Sequence, residues 1–457
     1  MTGLILTASA NAAPAVAPAK AAGELKMPPF GSVTIVRPAG KVAENPRHVV
    51  LWIADGATTE DLPAFAEASG SIVARVDLGE YVRHLTGSKS KCAYPAAHFE
   101  ALSQGLQKEL GLARYVYPEL LGTGAGATLA YAVLAESPPA TFRGAISVGY
   151  SPRLDLPFAL CRQNHLDYTV EDGPGKGTLK AAATLPGAWV VLPRHAEEGA
   201  AAAPFAKGVA TAAILDAQPA SQASLLRALA RLDELAEPAQ SAPGDAQVAD
   251  LPLIELPSSA IGRDELAVIY SGDGGWAGLD RDVGGALLQA GIPVIGVSSL
   301  QYFWTRRTPD GAAADLVRVL RHYLSAWKRQ RIVLIGYSAG ADVLPFLAAR
   351  LPADLRSRVA AVVMLGPSDS ASFEFHVAEW LGHDDDSSLP TAPEVAKIGG
   401  PRGLKVLCFY GADESDSLCP ALPKGLVTLY PEAGSHHFGG HYDVLAETIL
   451  REIEPRP

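Results

Sequence analysis

Positive charge is in short supply in this 457-residue chain: 38 Lys and Arg stand against 49 Asp and Glu, a net charge of -11. No run of lysines and arginines offsets that balance, which argues against nucleic acid as a partner. Cysteine is also scarce, with four residues, none in a C-x-x-C pair or beside a histidine cluster of ligand spacing. Zinc is therefore not expected, and no other metal is. There is no G-x-x-x-x-G-K-[ST] loop to cradle a nucleotide, and no cofactor is expected. Hydrophobic residues make up 48% of the chain, yet no internal segment has the length and purity of a membrane span.

What is present is one strong local pattern. Arg331 to Tyr337 is an apolar run of strand length, and it enters Gly336-Tyr337-Ser338-Ala339-Gly340 before a helical pattern begins. Small residues around a serine on a strand-to-helix turn form the nucleophile-elbow arrangement. Ser338 is the predicted nucleophile, and the amide of Ala339 the first predicted oxyanion donor. In this architecture the acid and then the histidine follow the serine. Leu426 to Tyr430 reads as a late strand, and the loop after it carries His436, His437 and, further on, His441. His436, two residues after a glycine and two before a phenylalanine, is the predicted base. The strand Lys405 to Tyr410 leads into a loop with Asp413, Glu414 and Asp416, any of which could orient an imidazole. Asp416 is favoured because Pro420 follows it by four residues; Asp413 is the alternative.

A second oxyanion donor is expected after the strand Glu265 to Tyr270, in Ser271-Gly272-Asp273-Gly274-Gly275-Trp276, at Asp273 or Gly274. Gln301 to Arg307 follows another predicted strand and carries three aromatics, Trp304 among them, with two arginines. That composition suits a segment docking on anionic lipid, and equally a lid or a contact between domains.

The chain is long enough for two domains, and it contains a repeat of that size. Arg47 to Gly56 parallels the strand and glycine turn at 265–275, and Ser71 to Asp77 parallels Ile292 to Ser298. Tyr115 to Gly126 parallels the elbow, and Phe142 to Pro152 parallels Val359 to Ser368. Strands alternating with helices imply parallel sheets covered on both faces. The expected fold class is α/β: two tandem α/β-hydrolase-like domains, the N-terminal one degenerate because Gly124 stands where Ser338 stands in the second copy. The expected boundaries are a residual signal or flexible leader at 1–26 and the degenerate domain at 27–235. A linker at 236–250 and the catalytic domain at 251–457 follow. Leu4 to Leu6 with the small-x-small site Ala10-Asn11-Ala12 reads as the end of a secretory signal. Four cysteines suit an exported protein, with one pair per half, Cys92–Cys161 and Cys408–Cys419, as the simplest connectivity.

Together, Ser271 to Trp276, Gly336 to Asp342 and the loop Asp416 to Cys419 resemble the VirJ/AcvB family of bacterial virulence proteins, the chain being similar to its two-domain AcvB type. The resemblance implies a periplasmic protein linked to type IV secretion, with secretion-system proteins as partners and contact with the membrane surface. It also implies a serine hydrolase whose substrate is an aminoacylated phospholipid, lysyl-phosphatidylglycerol. A dicationic lysyl group favours carboxylates at the site, and Asp273, Asp342, Asp369 and Glu374 are the candidates, with Trp304 as an apolar contact.

Overall fold

The computed structural model describes residues 21–56, 61–86, 90–236, 246–260, 263–376 and 388–454. Two large sheets organise them. The first runs in the order Ala21–Met27, Gly31–Val36, Ser71–Asp77, His48–Ala54, Glu119–Thr123, Gly144–Val148, Ala188–Leu192, Ala212–Ile214. The second runs Leu253–Leu256, Val294–Val297, Glu265–Tyr270, Arg331–Tyr337, Val359–Leu365, Val406–Gly411, Thr428–Glu432. Without its outermost strand, the first sheet repeats the second strand for strand. In both, a short antiparallel strand flanks an otherwise parallel sheet. The duplication read from sequence is thus a repeat of topology: two α/β-hydrolase-like domains.

Parallel strands covered on both faces are apolar along their whole length. Glu265–Tyr270 and His48–Ala54 are buried throughout. Successive side chains point to opposite faces, so one strand feeds two cores. Ile332 and Leu334 pack with residues of the helices Pro309–Ala326 and Ala339–Ala349. Val333 and Ile335 pack with residues of Leu279–Gln289 and Tyr442–Ile453 on the other side. In the first domain, Val49, Leu51 and Ile53 face one core and Val50, Trp52 and Ala54 the other.

Two expectations about the chain's edges change. Residues 21–26 do not belong to a leader: Ala21–Met27 is a strand that pairs antiparallel with Gly31–Val36. The backbone pairing, not composition, decides this, because an Ala/Gly/Lys stretch can still form an edge ladder. The signal-like residues 1–20 and linker residues 237–245 lie outside the described residues. Just beyond them, Val248 and Leu251 already pack in the second domain's core. Each domain holds one disulfide, Cys92–Cys161 and Cys408–Cys419. Among the described residues, no helix is long and apolar enough to cross a membrane.

Candidate active site

Ser338 sits between the strand Arg331–Tyr337 and the helix Ala339–Ala349, with φ 51° and ψ -122°. A non-glycine residue is strained there. The turn holds because its neighbours have no side chains: a Cβ on Gly336 would lie 2.3 Å from Gly340 O, and one on Gly340 2.2 Å from Tyr270 O. The helix N-terminus after the turn presents amides without intrahelical partners, beginning with Ala339.

The histidine loop closes over this turn. Ser338 N donates to Leu365 O at 2.9 Å. The next residue after that carbonyl, Gly366, faces the imidazole: a Cβ there would lie 2.9 Å from His436 Cε1 and 3.0 Å from Nδ1. The Tyr337 ring stacks on His436 with centroids 5.4 Å apart and planes 30° apart. The Tyr337 hydroxyl lies 2.9 Å from Nδ1 of His437. Of the three histidines on this loop, His436 is the one that meets both the Tyr337 ring and Gly366.

Its acid partner is not the predicted one. His436 Nδ1 lies 2.6 Å from Oε1 of Glu414, whose side chain is only 7% exposed. A carboxylate only accepts, so the pairing places the imidazole proton on Nδ1 and leaves Nε2 free to act as base. Asp416 and Asp413 are both exposed. The proline spacing pointed to the wrong residue because the loop folds back immediately after its strand: Gly411 N donates to Glu414 Oε2 at 3.3 Å. That early turn aims Glu414 inward and carries Asp416 past the histidine. Closeness to the strand end does not separate them either, since Asp413 lies nearer the end of Val406–Gly411 and is exposed.

The loop Ser271 to Trp276 lies beside Ser338. A Cβ on Gly272 would lie 3.6 Å from Ser338 Cβ, and Asp273 and Gly274 follow it, exposed. Asp342, on the elbow helix, is 8% exposed, and Ser368 binds both its oxygens, by N at 2.6 Å and by Oγ at 2.8 Å. Burial pushes its carboxyl up to about 7, with the donors from Ser368 opposing. It staples the elbow helix to the loop after Val359–Leu365. Asp369 is exposed on that same loop. Glu374 lies 3.5 Å from Lys108 of the first domain.

Trp304 must be reassigned. It is 2% exposed, and Tyr302 and Phe303 beside it are 1% and 4% exposed. Its Nε1 donates to Leu112 O at 2.8 Å, and Tyr115 packs on its ring at 5.0 Å. The aromatic segment is a contact between domains, not a lipid-docking surface or a substrate contact. Aromatic composition alone did not separate those uses, because both bury rings.

The first domain has the same turn without the chemistry. Gly124 has φ 58° and ψ -124°, nearly the angles of Ser338, and opens the helix Ala125–Glu136. Asp55 fills the space where a nucleophile would stand. Its Oδ2 accepts from Ala125 N at 3.1 Å and would lie 2.9 Å from a Cβ on Gly124.

Residues 264–457 match the family model described as bacterial virulence protein (VirJ). The chain is also similar to solved structures. Est1E from Butyrivibrio proteoclasticus is 16% identical over 44% of this chain and 93% of its own, with a TM-score of 0.32. An alpha-beta serine hydrolase homologue from Coxiella burnetii is 16% identical over 44% of this chain and 91% of its own, with a TM-score of 0.32. The esterase Pf2001 of Pyrococcus furiosus is 14% identical over 44% and 92%, with a TM-score of 0.32. No curated protein matches the chain. The residues that hold Ser338, Glu414 and His436 thus fall within the stretch similar to the VirJ family model.

Proposed function

We propose that this protein is a serine hydrolase of ester bonds, acting on the aminoacyl ester of lysyl-phosphatidylglycerol with Ser338 as nucleophile, His436 as base and Glu414 as its orienting acid. The observation that carries the hydrolase reading is the 2.6 Å Glu414–His436 pair beside a serine held at φ 51°. In the reaction, His436 Nε2 takes the Ser338 proton as Oγ attacks the lysyl carbonyl. The amide of Ala339 and one from Asp273 or Gly274 receive the oxyanion. Collapse of the tetrahedral species returns the proton to the departing glycerol oxygen, releasing phosphatidylglycerol and leaving a lysyl-serine ester. Water, deprotonated by His436, then frees lysine and restores Ser338.

The substrate assignment rests on the VirJ/AcvB resemblance and is supported by acidity around the cleft. The exposed Asp273 and Asp369 and the chain's overall charge of -11 favour a cationic acyl group. Two disulfides support an oxidising compartment, and the periplasm is the proposed location. There the substrate would be met at an anionic membrane surface, with secretion-system proteins as further proposed partners.

The test is to incubate the purified protein with vesicles containing lysyl-phosphatidylglycerol and quantify free lysine and phosphatidylglycerol, with Ser338→Ala as control. Stoichiometric release by the wild type alone supports the reading. Cleavage of simple acyl esters without the lysyl lipid would make it an esterase of other specificity. A Ser338 inert to a fluorophosphonate would leave a binding protein with a vestigial triad.

A further inference from the structure

The first domain lies against the loop that receives the oxyanion. Its helix Pro95–Glu109 and the segment to Tyr117 cover the second domain's aromatic segment and the backbone next to it. Lys108 Nζ donates to Trp304 O at 2.6 Å and lies 4.7 Å from the centre of that ring. Trp304, Leu300 and Tyr115 form a buried cluster of their own, with Tyr117 and Phe375 at its margin. Lys108, Leu112, Tyr115 and Trp304 thus tie the domains firmly beside the catalytic end of the second sheet.

Tyr117 goes further, to the loop itself. Its hydroxyl lies 3.4 Å from Ser298 Oγ, and a Cβ on Gly275 would stand only 2.7 Å from that hydroxyl. Gly275 is buried at φ 83°, three residues after Gly272, which faces Ser338. The same loop is tied from its own domain by Ser271, whose Oγ accepts from Ser299 N at 2.9 Å. Ser271 to Gly275 is therefore held between its own domain and the tyrosine of the other. Burial and the charge of Asp273 push the carboxyl of Glu100, on the same first-domain helix, up to about 7.

We infer that Tyr117 is a positioning residue for the oxyanion loop, so that the domain without a nucleophile governs turnover in the domain that has one. The inference rests on the serine-hydrolase reading above. An oxyanion amide contributes only when its hydrogen points at the developing charge, and a displacement of about 1 Å can cost about a hundredfold in rate. A loop of small residues has little stiffness of its own, and Tyr117 supplies it from outside.

The experiment uses the full chain and two variants, Tyr117→Ala and Tyr117→Phe, assayed on a soluble ester. Labelling of Ser338 by a fluorophosphonate, whose phosphoryl oxygen needs the same amides, is followed in parallel, together with Tm. Tyr117→Ala should lower kcat and the labelling rate by roughly tenfold to a hundredfold with KM within about twofold. Tyr117→Phe, which keeps the ring, should lose less of both. Val190→Ala, fully buried in the strand Ala188–Leu192 where it packs with Leu225 and Leu229, serves as the stability control. It should lower Tm and leave kcat unchanged. Wild-type turnover in both Tyr117 variants would overturn the inference alone. So would a loss that Val190→Ala reproduces at equal Tm, which would make the effect one of global stability. A wild type that neither labels nor turns over would overturn the hydrolase reading, and this inference with it.

Discussion

Glu414 Oε1 and His436 Nδ1 meet at 2.6 Å across the ends of the two parallel strands Val406–Gly411 and Thr428–Glu432. The pairing turns two loops into one device, because the carboxylate selects the tautomer that leaves Nε2 as the base. Glu414→Gln should keep the loop's shape and lose the tautomer, lowering kcat by about 10³–10⁴. Asp416→Asn and Asp413→Asn, both at exposed positions, should stay within a few-fold of wild type. Ester kinetics on the three variants check this, and a larger loss in Asp416→Asn would restore the sequence-based choice.

Ser338 and Gly124 adopt nearly the same backbone angles, one with a side chain and one without. Ser338→Gly should abolish turnover and at the same time raise stability by about 1 kcal/mol, since the strain of a side chain in that region is removed. In the other direction, Gly124→Ser should stay unlabelled by fluorophosphonate and lose stability. Asp55 already occupies the space its hydroxyl would need. Denaturant melts and probe labelling of the two variants test both statements.

The bond Cys408–Cys419 joins residues 11 apart in sequence on either side of Glu414. Replacing both cysteines by alanine should cost about 2–3 kcal/mol through the freed unfolded chain. Activity should fall by more than the folded fraction accounts for, because the acid loses its anchor. Mapping of unreduced peptides should join Cys408 to Cys419 and Cys92 to Cys161.

Burial and the nearby charge of Asp273 raise the carboxyl of Glu100 from its ordinary 4.5 to about 7. A raised acid holds its proton in the folded state after the unfolded chain has released it. Its contribution therefore falls as pH rises from about 4.5 to about 7 and is constant above. Glu100→Gln should leave Tm little changed near pH 4 and raise it relative to wild type by pH 8. Asp342 shifts the same way, so the slope of Tm with pH should flatten in the variant without vanishing. A parallel pair of Tm–pH curves would show that Glu100 ionises normally.

The elbow was legible because its determinants are local: an apolar run, a turn that tolerates no side chains at 336 and 340, and a helix start, all within about a dozen residues. The same holds for the repeat, since strand and turn patterns survive when the chemistry is lost, and for the histidine two residues after Gly434. The acid was legible only as a set of three, because strand ends can be read from sequence but the direction of a loop side chain cannot.

Sequence alone therefore determined the fold class, the elbow that carries Ser338, the loop that carries His436 and the missing hydroxyl at Gly124, each set by contacts between near neighbours in the chain. Only the tertiary structure decided that Glu414 rather than Asp416 faces His436. It also decided that Trp304 is buried by Leu112, 192 residues away, and that Tyr117 reaches Gly275 and Ser298 from the other domain. The first outcome depends on how one loop folds back after its strand, and the other two on how two separately patterned sheets dock. Docking is set by the shape of whole surfaces, which no short window of sequence encodes.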